Sequence, residues 1–173
     1  MSFIVRTLRS RRLRAAALLA AIPAAAVVGG LVEAGRAASP VSAPTAQRID
    51  LAAGYPSFAR GYRLSLAEAV LPAGAGFPPH RHPGMQVAYV RSGTLKYTVF
   101  QGRVKVFQGH PGSSQKLVRI LRAGQTGSIK TGQWLIETPS LHHQGVNAGH
   151  KRVVILLASL LRSDQPAAIP VTP

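Results

Sequence analysis

The residues best suited to chemistry in this chain are its six histidines, four of which fall in two short segments, His80 with His82 and His142 with His143. Imidazole is the commonest protein metal ligand and titrates near neutral pH. In Pro78-Pro79-His80-Arg81-His82-Pro83 the prolines favour extended backbone, where residues i and i+2 point to the same side. His80 and His82 can therefore offer two rings to one ion, with Arg81 turned away. Adjacent residues on a strand face opposite sides, so His142 and His143 cannot both enter one site. His110 and His150 stand alone in Gly-containing turns. There is no cysteine, so a metal must be held by His, Asp, Glu, Asn, Gln or water, and the fold by its core or a metal rather than by disulfides.

The elements that position these side chains read as short strands. Tyr62–Leu71 is a strand candidate ending at Pro72, and residues 85–90 form a second, closed by Arg91-Ser92-Gly93. Residues 94–100 alternate, with Leu95, Tyr97 and Val99 on one face and Thr94, Lys96 and Thr98 on the other, as a half-buried strand does. Further strands are expected over 103–107, 116–121, 133–138 and 152–161, separated by Gly-rich turns. The last is continuously apolar over residues 153–161, too short to cross a membrane as a helix, and reads as a strand buried on both faces. No long helical period follows residue 40. Short strands at regular spacing imply an all-β sandwich or barrel.

The N-terminus has a different layout. Residues 1–14 are basic without an acid, and residues 15–32 are Ala, Leu, Ile and Val broken by Pro23, Gly29 and Gly30. This is the order of a secretory signal, with a cleavage point after Ala37; an uncleaved membrane anchor is the competing reading, because the apolar run is near the spanning length. Residues 38–61 are Pro-, Ala- and Ser-rich and read as a linker or N-terminal arm, residues 62–163 as the barrel, and residues 164–173 as a tail. The formal net charge is +16; residues 1–37 hold six arginines and one glutamate, leaving about +11 on the rest. Such an excess favours anionic partners. With Arg and Lys scattered and no nucleic-acid-reading motif, no nucleic acid is expected.

A longer window sharpens the histidine reading. Gly74, His80, His82, Gln86 and Gly93, at their spacing, resemble the first motif of the cupin superfamily, with Gln86 where the family usually has Glu. Gly132, His143 and Asn147 resemble the second motif in part, with Thr138 and Ser140 at its Pro and Gly positions and Pro139 one step late. The resemblance spans about residues 62–161. It implies a single-domain antiparallel β-barrel of the jelly-roll type, preceded by the signal peptide, in which His80, His82, Gln86 and His143 hold one divalent metal, Fe, Mn, Ni, Cu or Zn, at the barrel mouth. His142 competes for the last place, and the spacing to Asn147 favours His143. A neutral Gln86 leaves the ion's charge uncompensated; Glu137 either offsets it from behind the ligands or faces solvent. Trp134, Tyr89, Tyr97 and Phe77 either line an apolar pocket or pack the core.

These features imply an exported protein, periplasmic, cell-surface or secreted, that binds one metal and acts on a small anionic or oxygenated molecule. Oxygenase, isomerase and decarboxylase chemistry all suit an open-coordination metal. A non-catalytic ligand-binding module is the alternative, which the missing carboxylate at Gln86 favours and the three retained histidines oppose. A homodimer is compatible with either. The exported form is expected to begin near Ala38; N-terminal sequencing that finds Met1 intact in a membrane fraction would replace the signal peptide with an anchor.

Overall fold

The computed structural model describes residues 43–173 apart from Pro111 and Ser113; the leader and its cleavage point lie outside the described residues. Among the described residues the chain forms twelve strands and no helix. In chain order they are β1 (Gln47–Gly54), β2 (Tyr62–Leu71), β3 (His80–Arg81), β4 (Gly84–Ser92), β5 (Thr94–Gln101), β6 (Arg103–Gln108), β7 (Lys116–Arg122), β8 (Thr126–Lys130), β9 (Gln133–Glu137), β10 (His142–Val146), β11 (Val153–Arg162) and β12 (Ile169–Pro170). A seven-stranded sheet has the order β1-β2-β11-β4-β9-β6-β7, and a five-stranded sheet the order β12-β3-β10-β5-β8. The assigned ladders are antiparallel.

Alternation explains most of these strands. β5 buries Leu95, Tyr97 and Val99, β6 buries Val104 and Val106, and β11 buries every second residue from Val153 to Leu161. The inward residues of both sheets meet in one core that includes Val99, Val106, Ile129 and Leu135, each contributing about 2 kcal/mol through burial. β4 and β5 are joined by the single residue Gly93, whose φ is 82° and where a Cβ would lie 2.9 Å from the Arg152 carbonyl oxygen. Both the backbone conformation and the close approach demand glycine there.

The structure adds to or departs from the sequence expectations at five strands. Residues 47–54, within the stretch read as a linker or arm, form the edge strand β1 along β2; almost all its side chains are exposed, so no hydrophobic alternation announces it. β12 lies in the segment read as a tail and pairs with β3. β8 and β10 were not expected as strands, because β8 buries only Ile129 and the inward residues of β10 are His143 and Gly145 rather than aliphatics. β11 is not buried on both faces. Its outer residues Val154, Leu156 and Leu160 are only half-buried, beside exposed Leu64, Leu66, Met85 and Val87. Neighbours in the same sheet cover these side chains laterally, and none of the described strands lies over them.

Asn147, fully buried after β10, fastens the loops at one end of the barrel. Its side-chain nitrogen donates to the carbonyls of Leu71 (2.9 Å) and Lys151 (2.8 Å), its Oδ1 accepts from the Gly149 amide (3.0 Å), and its backbone pairs with Gly74 and Ala75. Asn147→Ala leaves two carbonyls and one amide without those partners. We expect a loss of about 3 kcal/mol in urea unfolding; a loss under about 1 kcal/mol would mean these groups find other partners.

Candidate metal centre

Three histidines converge between the sheets. His80 on β3 lies directly opposite His143 on β10, and His82 follows two residues along the extended chain. Their ring centroids are 4.4 Å apart for His80 and His143, 4.9 Å for His80 and His82, and 5.2 Å for His82 and His143. All three are buried, and each offers one ring nitrogen within 4.8 Å of the others. The remaining nitrogens orient the rings. His80 Nδ1 is tied to the Pro78 carbonyl at 2.7 Å and His82 Nδ1 to the Ala167 carbonyl at 2.6 Å, which leaves both Nε2 atoms for the site, the arrangement seen behind metal-bound imidazole. Nδ1 of His143 is buried with no hydrogen-bond partner. A close triad of imidazoles with an orphaned nitrogen fits a divalent ion.

Glu137 supplies the negative charge. It is buried on β9, and its register partner on β4 is Gln86. Oε1 accepts from the Tyr97 hydroxyl at 2.8 Å and lies 3.1 Å from His143 Nε2; Oε2 accepts from Gln86 Nε2 at 2.7 Å and lies 3.2 Å from His82 Nε2. Tyr97 also stacks on the His143 ring at 5.1 Å. Gln86 is at the centre but in a different role from the one expected of it. Its Oε1 accepts from the Ser159 hydroxyl at 2.7 Å, so it presents its donor end, not its oxygen, to the site, and only that orientation satisfies both the carboxylate and the hydroxyl. The carboxylate missing at Gln86 thus stands one strand away.

The charges follow from these contacts. Burial alone would raise the pKa of Glu137, but His143 and His82 outweigh it and hold the carboxyl well below its usual range. Burial lowers His82 as well, yet the hydrogen bond and charge of Glu137 leave it raised. His80, farther from that charge, is pushed down to about 4, first by burial and then by His143. Burial, followed by the charge of Glu137, drives the Tyr97 hydroxyl well up.

The centre borders a cavity of about 90 Å³ whose walls include Phe77, Leu95, Tyr97, Ile155 and Leu157, with Arg48 also lining it. Phe77 and Tyr97 therefore line the pocket, whereas Tyr89 is exposed and Trp134 stacks on Phe107 at 4.7 Å and donates to the Gly109 carbonyl. His142 points away from the triad, half-buried; His110 and His150 are exposed. Sequence reasoning missed the Pro78 and Ala167 carbonyls, Ser159 and Arg48. Only Arg48 has a side chain that could have drawn notice, and it sits in the segment read as a linker or arm.

Residues 67–114 match the family model of the cupin domain, Cupin_2. That stretch, and with it β4 to β6, is similar to a cupin domain. The match includes His80, His82 and Gln86 and stops before Glu137 and His143. The chain is also similar to solved structures: a cupin 2 domain-containing protein from Halorhodospira halophila (15% identity over 74% of this chain and 71% of that one, TM-score 0.47), KdgF from Halomonas sp. (19%, 69% and 82%, TM-score 0.45) and a cupin 2 conserved barrel domain protein from Leptotrichia buccalis (18%, 68% and 41%, TM-score 0.43). No curated protein matches it.

The depressed His80 should make the metal-free protein sensitive to acid. An unfolded histidine takes up a proton near pH 6.5 while folded His80 refuses it until about pH 4, so its contribution is fully present above 6.5 and declines as pH falls towards 4. His82, raised in the fold, has the opposite sign: its contribution is complete below 6.5 and is lost as pH rises through its folded pKa. Chelated protein should therefore be about 2 kcal/mol less stable at pH 5 than at pH 7 through His80 alone, and His80→Asn should flatten that slope in urea titrations. An unchanged slope in the variant would assign the acid sensitivity elsewhere.

Proposed function

We propose that this chain is a cupin that holds one divalent metal on His80, His82 and His143, with Glu137 as the anionic partner, and acts on a small molecule bound in the adjoining cavity. The observation that supports it most directly is the triad itself: three buried imidazoles with one ring nitrogen each inside 4.8 Å, one of the rings keeping an unpartnered nitrogen. A bound ion would supply Lewis acidity or redox capacity. The chain's own residues do the rest. Pro78 and Ala167 fix two rings, Tyr97 and Gln86 aim the carboxylate, and the apolar walls exclude water from the ligand's body. Gln86 belongs among the supports in this reading rather than among the ligands, and Glu137 takes over the charge compensation. The oxygenase, isomerase or decarboxylase classes remain the reactions to test, together with export of the chain and a homodimer.

One observation favours a non-catalytic ligand-binding module instead. Glu137 already has Tyr97, Gln86, His82 and His143 around it, so the polar interior is nearly satisfied by protein groups alone. Metal analysis separates the two readings. Protein purified without chelators should contain close to one equivalent of a transition metal, and His80→Ala or His143→Ala should weaken its binding by orders of magnitude, while His110→Ala and His150→Ala leave it unchanged. Wild type that takes up no Fe, Mn, Ni, Cu or Zn in titration would leave the binding-module reading standing.

A further inference from the structure

The cavity has apolar walls and a polar side formed by the three histidines, Gln86 and Glu137, whose carboxylate is already held by Tyr97, Gln86, His82 and His143. Among its described lining residues Arg48 is the only one with a permanent positive charge. It comes from β1, the edge strand, where it lies opposite Ala69, whose side chain also faces the cavity. Its guanidinium is held in place: Nε donates to Asp50 Oδ1 at 3.1 Å and Nη2 to the Ser65 hydroxyl at 3.3 Å. Both bonds leave Nη1 with its two hydrogens. Arg48 and Ala167 also border a second hollow of about 190 Å³, walled by Arg63 and Arg162. Asp50 is shared between Arg48 and Arg63, and Asp164 pairs with Arg162, so three guanidinium groups face two carboxylates around this hollow. The hollow beside the cavity is therefore net positive, and Arg48, with its free fork of donors, is shared by the linings of both.

We propose that Arg48 is the anchor for a small carboxylate with an apolar body, and that this is the ligand class of the cavity. The inference deepens the proposed function by naming what enters the site, but it rests on Arg48 and the cavity walls and does not need a bound metal. A guanidinium matches a carboxylate in plane and spacing, the aliphatic walls take the hydrocarbon, and the basic hollow concentrates anions beside the cavity. A cationic amine of the same shape is opposed by Arg48. A neutral amide keeps the packing and loses the charge-assisted bond. Asp50 competes with the ligand for the same guanidinium, so its removal should favour the acid.

The test uses 3-methylbutanoate and its isostere 3-methylbutanamide, titrated by calorimetry or ligand-observed NMR into the full chain, once chelated and once loaded with zinc. The chelated wild type should prefer the carboxylate by about tenfold or more, the size of one charge-assisted hydrogen bond. Arg48→Gln should reduce that preference to near one by weakening the acid and not the amide. Asp50→Asn should tighten the acid severalfold and leave the amide as it was, which keeps the inference testable should Arg48→Gln fail to fold. Equal binding of acid and amide by the chelated wild type, a preference that survives Arg48→Gln, or one that Asp50→Asn weakens would each overturn the assignment. A preference seen only with zinc would place the carboxylate on the metal and overturn it too. Failure to bind metal leaves these results intact and counts only against the metal centre.

Discussion

Glu137 is a carboxylate enclosed by the barrel, and an ion in that position costs several kcal/mol unless its surroundings compensate for it. Its two oxygens face a phenol, an amide and two imidazoles, which come from β4, β5, β10 and the chain after β3. One side chain on the seven-stranded sheet thereby fixes the orientation of groups on both sheets. The other three acids among the described residues, Asp50, Glu68 and Asp164, pair with arginines nearer the surface. Removing the interior charge would leave His82 and His143 without the group that aims them, whereas loss of a surface pair would be felt weakly.

The same constraint accounts for glutamine at position 86. Gln86 and Glu137 are opposite one another on adjacent antiparallel strands and face the same interior. Two carboxylates in contact there would repel, and one would stay protonated. An amide avoids this because it can donate to the carboxylate while accepting from Ser159. A metal held by the histidines would find its anion in the neighbouring strand, at Glu137 rather than at position 86.

Both ends of the described chain complete the site. β1 contributes Arg48 to the lining of the cavity, and β12 pairs with β3 and holds the segment whose Ala167 carbonyl fixes His82. Neither strand has an apolar face of its own to bury. They are held by backbone ladders along strands that the core already stabilises, which is why irregular, Pro- and Ala-rich sequence suffices for them.

Sequence alone determined the all-β class, most of the central strands and the pairing of His80 with His82, because each of these depends on local periodicity: alternation, extended proline-flanked backbone and glycine at tight turns. It also narrowed the last histidine to two neighbours of which one alone can face inward, and the inward one is His143. Tertiary structure decided the rest. Whether Glu137 faced solvent or the centre, which end of the Gln86 amide met the site, and whether Tyr97 or Trp134 lined the cavity all turn on contacts between residues 25 to 73 positions apart. Such contacts leave no periodic trace in the chain. A buried polar group acquires its role from the partners that desolvation forces upon it, and those partners exist only once the two sheets have closed.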